Sequence, residues 1–186
     1  MRRPRGVAAG GVRHEAIWSD RGARRDAGHG RRSGDGLSGP GRPGHKWQVF
    51  SSPTFTLPAR FCGFRVRVEP VASKEFIKVL KTADGSRTEL LTGKCSQSYT
   101  NLSTGKAITE NASASGKLTT NADGSGTEVG RGRTPAFFTP AEARRFGLPT
   151  VSILAGRLTL SFDSAGNFTS VTPNGHVQVN VCAALS

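Results

Sequence analysis

Beyond about residue 46 the chain is written in short runs of alternating apolar and polar residues, punctuated by glycine-containing turns, a grammar that selects an antiparallel sheet. Phe64-Arg65-Val66-Arg67-Val68-Glu69 alternates strictly, which places Phe64, Val66 and Val68 on one strand face and charge on the other. Asp84-Gly85 separates the run Phe76 to Lys81 from Thr88 to Leu91, a hairpin signal. Thr104-Gly105 does the same between Ser96 to Leu102 and Ala107 to Ala114, and Asn121-Ala122-Asp123-Gly124 between Thr120 and a strand through Thr127 and Val129. The tetrapeptide Ala-Asp-Gly-Ser occurs at 83–86 and again at 122–125, the same turn chemistry used twice.

Residues 135–149 break the strand pattern. Thr139, Pro140 and Glu142 make a helix start and Gly147 a stop, so one short helix is expected near 140–146. Val151 to Asp163 then reads as a long strand with Leu158, Leu160 and Phe162 on one side. Ala165-Gly166-Asn167 turns it into Phe168 to Val171. Pro173-Asn174-Gly175 reads as a further turn, followed by a last strand with Val177, Val179 and Val181 on a common face. About eight hairpin-linked strands predict an all-β fold, an antiparallel meander closing into a small up-and-down or partly open barrel. The alternative, a sandwich, requires longer crossing connections than this chain has.

Residues 1–46 are built differently. Their first 45 positions hold 11 Gly, 10 Arg and 3 Pro, with no apolar period, so they are expected to form a disordered Arg/Gly-rich arm ahead of a single β domain at 47–186. Ordering such a segment costs about 1–2 kcal/mol per residue in backbone entropy, which its few apolar groups do not offset. The arm admits three readings: a non-native or mis-assigned start, a nucleic-acid-binding tail, or a targeting segment. Arg13, Arg21, Arg24 and Arg25 interrupt every stretch that would serve as the apolar part of a secretory signal. The whole chain carries a formal +13, so polyanions are attracted to it. No run approaches the roughly 18 consecutive apolar residues of a membrane-spanning helix.

Three cysteines stand at 62, 95 and 182. Cys62 opens the first well-marked strand and Cys182 closes the last, so a barrel would bring them within the about 5.5–6 Å Cα spacing of a disulfide. Phase opposes this, because Cys182 is out of step with Val177, Val179 and Val181. A disulfide implies an oxidising compartment, hence a secreted or cell-envelope location. Cys95 is left over as a buried or half-buried thiol.

Cys62-Gly63-Phe64, Asn101 to Lys106, Asp123-Gly124-Ser125, Gly130-Arg131-Gly132, Gly156-Arg157 and Cys182-Ala183-Ala184-Leu185 carry a resemblance. From about Pro53 to Leu185 the chain resembles small secreted β-proteins of actinobacteria with no assigned activity. The resemblance implies an exported protein and carries over no catalytic residue.

The folded part has a single histidine, His176, and no Cys-x-x-Cys, His-Glu-x-x-His, acidic Ca²⁺ loop or Gly-x-Ser-x-Gly, so neither metal nor cofactor is expected. Gly130-Arg131-Gly132 lacks the third glycine of a dinucleotide turn. His176 paired with Asp163 or Glu128 would make an acid–base couple, though a lone imidazole beside a turn is more often solvated. Asn101, Asn111 and Asn167 head Asn-x-Ser/Thr triplets that read as turn and strand residues. Phe137 and Phe138 beside Arg131 and Arg133 form the expected ligand site, suited to a small apolar or amphipathic molecule with an acidic head; the competing reading is that the two rings are core.

The function expected is therefore a non-catalytic exported β-barrel module, envelope-associated or binding such a ligand. The alternatives are a cofactor-independent barrel isomerase or cyclase acting on a hydrophobic substrate, and polyanion binding through the basic arm. No specific nucleic acid is expected as partner.

Overall fold

The structure is a computed structural model and describes residues 46–81 and 84–186. The expected arm at 1–46 lies almost wholly outside the described residues. Nine strands and two short helices follow in chain order: β1 (Gln48–Phe50), β2 (Phe55–Leu57), β3 (Val66–Lys81), β4 (Arg87–Asn101), β5 (Ala107–Asn111), β6 (Ala114–Thr120), β7 (Gly126–Phe137), α1 (Pro140–Phe146), β8 (Val151–Phe162), β9 (Phe168–Asn180) and α2 (Val181–Leu185). All pairings are antiparallel, and the sheet runs β1-β3-β4-β6-β7-β8-β9, with β2 on β3 and β5 on β4. Among the described residues this path does not close on itself.

The turn chemistry is the expected one. Asp84 Oδ1 accepts from Ser86 N and Asp123 Oδ1 from Ser125 N, both at 2.9 Å, and Gly85 and Gly124 follow with φ of 82° and 87°. The two Ala-Asp-Gly-Ser turns thus share one hydrogen-bonded form, Ala83 lying outside the described residues. Helix α1 occupies 140–146 under a capping box: Thr139 Oγ1 accepts from Glu142 N, and Glu142 Oε2 accepts from Thr139 N. Gly147, at φ 65°, ends it in the left-handed conformation.

Two expectations are corrected at the C-terminal end. Pro173-Asn174-Gly175 is not a turn but the middle of β9, whose ladder with β8 runs unbroken from Leu154↔Val177 to Ser161↔Ser170. The position of β9 at the end of the sheet path is one where a strand tolerates proline. Gly175 is required for close approach: a Cβ there would fall 1.8 Å from the Ala155 carbonyl oxygen. Val181 belongs to α2 rather than to a strand. The helix start, capped by the Asn180 side chain, removes the phase conflict and turns Cys182 toward Cys62. Among the described residues the strands number nine, against the about eight expected.

Two cores result. The first gathers Leu57, Phe61, Val66, Val68, Tyr99, Val151, Ile153, Val181 and Leu185, so residues of β3 and β4 meet residues of β8 and α2. The second packs Ala136, Phe138, Leu154, Leu158, Leu160 and Phe168 under Ala143 of α1. The first four residues of β8 are consequently buried on both sides, Val151 and Ile153 in one core and Leu154 in the other. The Cys62–Cys182 disulfide, with a Cα separation of 5.1 Å, ties α2 to the segment leading into β3. Asn101 Nδ2 donates to the Leu185 carbonyl at 3.1 Å and fastens the same helix to β4. Among the described residues no helix is long and apolar enough to cross a membrane.

Candidate functional site

Register decides which side chains share a face, because directly paired residues of antiparallel strands point the same way. Three adjacent rows can be followed across the sheet on the side away from Leu158 and Leu160. One reads Lys78, Leu90, Lys117, Val129, Thr159, Thr172. The next reads Phe76, Thr92, Ser115, Arg131, Arg157, Asn174, with the Thr92 and Ser115 hydroxyls hydrogen-bonded at 2.9 Å. Beyond it come Lys74 and Lys94 on β3 and β4, and Arg133, Ala155 and His176 on β7, β8 and β9.

These rows put Lys74, Lys78, Lys94, Lys117, Arg131, Arg133 and Arg157 on one side of the sheet, with no carboxylate in the rows. At about 4.8 Å between strands, β3 to β8 spans roughly 20 Å. One carboxylate shares this side: Glu69, beyond the bulge at Pro70–Ala72, pairs with Ser98 two rows past Lys94 and is engaged by Arg67 at 2.7 Å. Other acidic groups of the described residues serve the fold. Glu75 is buried and accepts from the Ser52 and Ser73 hydroxyls at 2.9 and 3.0 Å. Glu142 serves the α1 cap and also accepts from Phe168 N, while Asp123 and Asp163 close turns. Of the seven cations, Arg133 has a polar side-chain partner, its Nε donating to Gln178 Oε1 at 3.0 Å.

The apolar margin of this face is also defined. Val49 of β1 pairs with Phe76, and alternation extended two residues back, past the start of β1, would put Trp47 on the same side. Trp47 is 49% exposed, Val49 78% and Phe76 42%.

The opposite face carries different chemistry. Val79, Glu89, Leu118, Glu128, Leu160 and Val171 form one row there. Burial raises the Glu89 carboxyl above its ordinary value, against the pull of the Arg87 guanidinium at 2.6 Å. Burial alone pushes Glu128 up to about 7, for it has aliphatic neighbours Leu118 and Leu160 in place of a cation. Cys95 is buried; burial first, and then the Glu75 charge, push its thiol up to about 12, which keeps it protonated and unreactive at neutral pH.

The four residues expected to hold a ligand do not converge. Phe138 is fully buried in the second core, its ring edge-on to Phe168 at 5.3 Å and tilted to Phe146 at 6.0 Å. Phe137 packs against the first core, edge-on to Phe55 at 5.4 Å. Phe138 thus leaves β7 on the side away from Arg131 and Arg133, while Phe137 leaves on their side farther along the strand, where the first core takes up its ring. His176 lies beside Ala155 and Asp163 beyond Phe162, seven or more positions apart along β8, so they form no couple; Glu128 is on the other face. Asn111 and Asn167 hydrogen-bond within strand ends and turns, while Asn101 accepts from Ser103 N in its turn and donates to the Leu185 carbonyl of α2. Among the described residues no three His, Cys, Asp or Glu side chains gather as metal ligands.

Lys74, Lys78, Lys94, Lys117 and Arg157 are functional candidates that residue-by-residue reading of the sequence passes over. Their signal is there: basic residues an even number of positions apart in strands, as at 74 and 78 on either side of Phe76 and at 131 and 133. It becomes a surface only once the register is known. No family model matches the chain, and none of the curated proteins or solved structures compared with it is similar.

Proposed function

We propose that the folded region is an exported, non-catalytic binding module whose working surface is the cationic side of its sheet, and whose ligands are polyanions bearing phosphate or carboxylate groups. The observation that carries this reading is the segregation of seven cations, with no carboxylate among them, onto one side of paired strands. A hydrogen-bonded sheet fixes the backbone positions from which these side chains extend, so binding need order only their rotamers, and their summed field attracts multivalent anions from a distance. The Cys62–Cys182 disulfide and the resemblance to secreted actinobacterial β-proteins support a location outside the reducing cytoplasm.

In this reading the sheet is a partly open cylinder. The first core, which sets Val66 and Tyr99 against Val151 and Ile153, and the disulfide hold its ends together where the ladder does not. The test is titration with polyphosphate at several salt concentrations. Affinity falling as a power of salt, and weakened by Lys117→Glu with Arg131→Glu, is the expected result; salt-independent or absent binding removes the proposal.

One observation favours a second reading. A carboxyl poised to about 7 among Leu118 and Leu160 has the character of a general acid–base group, as a barrel isomerase of hydrophobic substrates requires. A Glu128→Gln variant that retains any turnover found for the protein would exclude it.

A further inference from the structure

Resting on the polyanion reading, the geometry points to a specific occupant of this surface: we propose that the cationic face docks onto an anionic lipid bilayer, with Trp47, Val49 and Phe76 entering the headgroup region. These three are among the large apolar side chains most open to solvent, and they are neighbours rather than scattered. Val49 and Phe76 are a direct cross-strand pair, and alternation extended back from β1 would put the exposed Trp47 on the same side. Lys74 and Lys78 flank Phe76 on β3, with Lys94 and Lys117 on the strands behind. The arrangement is an apolar corner at the β1 margin of a cationic surface.

A bilayer satisfies both halves at once. Lipid phosphates meet the lysines, and the interface accepts an indole, a phenyl and a valyl group together. Single-stranded nucleic acid fits less well. Bases stack on aromatic faces set among cations, whereas the most exposed member here, Val49, has no π-face and the apolar groups adjoin one another.

The test uses the full chain with Trp18→Phe, which leaves Trp47 as the sole tryptophan. It is mixed with large vesicles of phosphatidylcholine alone or with about one-third phosphatidylglycerol, and in parallel with soluble polyphosphate and a single-stranded oligonucleotide. The expected result is co-sedimentation with the anionic vesicles only, a blue shift of Trp47 emission there, and loss of both in about 0.5 M salt. Trp47→Ala with Val49→Ser is expected to weaken vesicle binding at least tenfold and leave polyphosphate affinity unchanged. Polyphosphate binding without vesicle binding overturns the bilayer proposal and spares the polyanion reading, and binding to neither overturns both. Vesicle binding undiminished in the Trp47, Val49 variant, or Trp47 emission that responds to the oligonucleotide and not to vesicles, also overturns it.

Discussion

Cys62 and Cys182 are bonded across 120 positions of sequence, and the bond fastens the helix that follows the last strand to the loop that enters the first long one. Thr150 sits at the same junction, its hydroxyl 3.3 Å from Cys182 Sγ and donating to the Phe61 carbonyl. Because β9 is hydrogen-bonded to β8 alone among the described strands, this bond and the first core carry the restraint that a closing ladder would supply. Closing a loop of that length restricts the unfolded chain by about 4–5 kcal/mol on the chain-entropy model. Replacing both cysteines by alanine is therefore expected to lower the unfolding free energy by about that amount. Urea titration of wild type and variant checks it, and a loss under about 1 kcal/mol would show that the core alone holds the ends.

Phe137 and Phe138 are adjacent in sequence and unequal in structure. Truncating Phe138, enclosed by Phe146 and Phe168, leaves a cavity and is expected to cost about 3–5 kcal/mol. Phe137 is only partly buried beside Phe55, so Phe137→Ala is expected to cost clearly less. Chemical denaturation of the two variants measures the difference, and equal losses would contradict the placement of the rings.

That pair also marks where the sequence stops being informative. Alternation alone predicts that neighbours in a strand point apart, yet it does not say that both directions end in protein, because the two-sided burial of β7 and β8 depends on α1 arriving over one face. The hairpins were legible since Asp-Gly and Asn-containing turns fix their geometry locally, and α1 was legible from Thr139, Glu142 and Gly147. Pro173-Asn174-Gly175 misleads for the converse reason: residues favoured in turns are here selected by an open edge and a close backbone approach, both properties of the assembled sheet. The cationic face is likewise a property of register, since Arg131 meets Arg157 only through the pairing of β7 with β8. Glu128 reads in sequence as one more polar strand residue, and only its neighbours reveal its altered acidity.

Glu128 makes stability depend on pH in a definite direction. Its carboxyl is raised from 4.5 in the unfolded chain to about 7 in the fold, so the folded state holds the proton more tightly. Below about 4.5 both states are protonated and no penalty exists; as pH rises toward 7 the folded state must either ionise a buried group or keep a proton the unfolded chain has released. Stability is lost across that window and the loss is complete above it. Glu128→Gln removes the titration. The variant is expected to gain about 1–3 kcal/mol over wild type at pH 8, allowing for partial solvent access, and to match it near pH 4. Thermal unfolding at the two pH values decides, and a gain of the same size at both would refute a titrating group at this position.

The cationic face and the arginine-rich leader make opposing claims on any polyanion affinity, and deletion separates them. Residues 1–45 carry 10 Arg and 4 acidic groups, whereas the remainder carries 16 basic and 9 acidic groups, so each part is basic in its own right. Removing residues 1–45 is expected to reduce polyphosphate affinity while leaving a salt-dependent component, because Lys74, Lys78, Lys94, Lys117, Arg131 and Arg157 remain fixed on the sheet. Within the truncated chain, Lys117→Glu with Arg131→Glu deletes two adjacent contacts and sets two repulsive charges in their place. By counterion release each lost contact flattens the dependence of log affinity on log salt by somewhat less than one, so the slope is expected to fall by about 1–2. The control is Arg144→Glu with Arg145→Glu on α1, which changes net charge equally away from the face. Isothermal titration across a salt series reads all three proteins. Equal slopes for the face and helix variants would mean that net charge, and not the ordered surface, holds the polyanion.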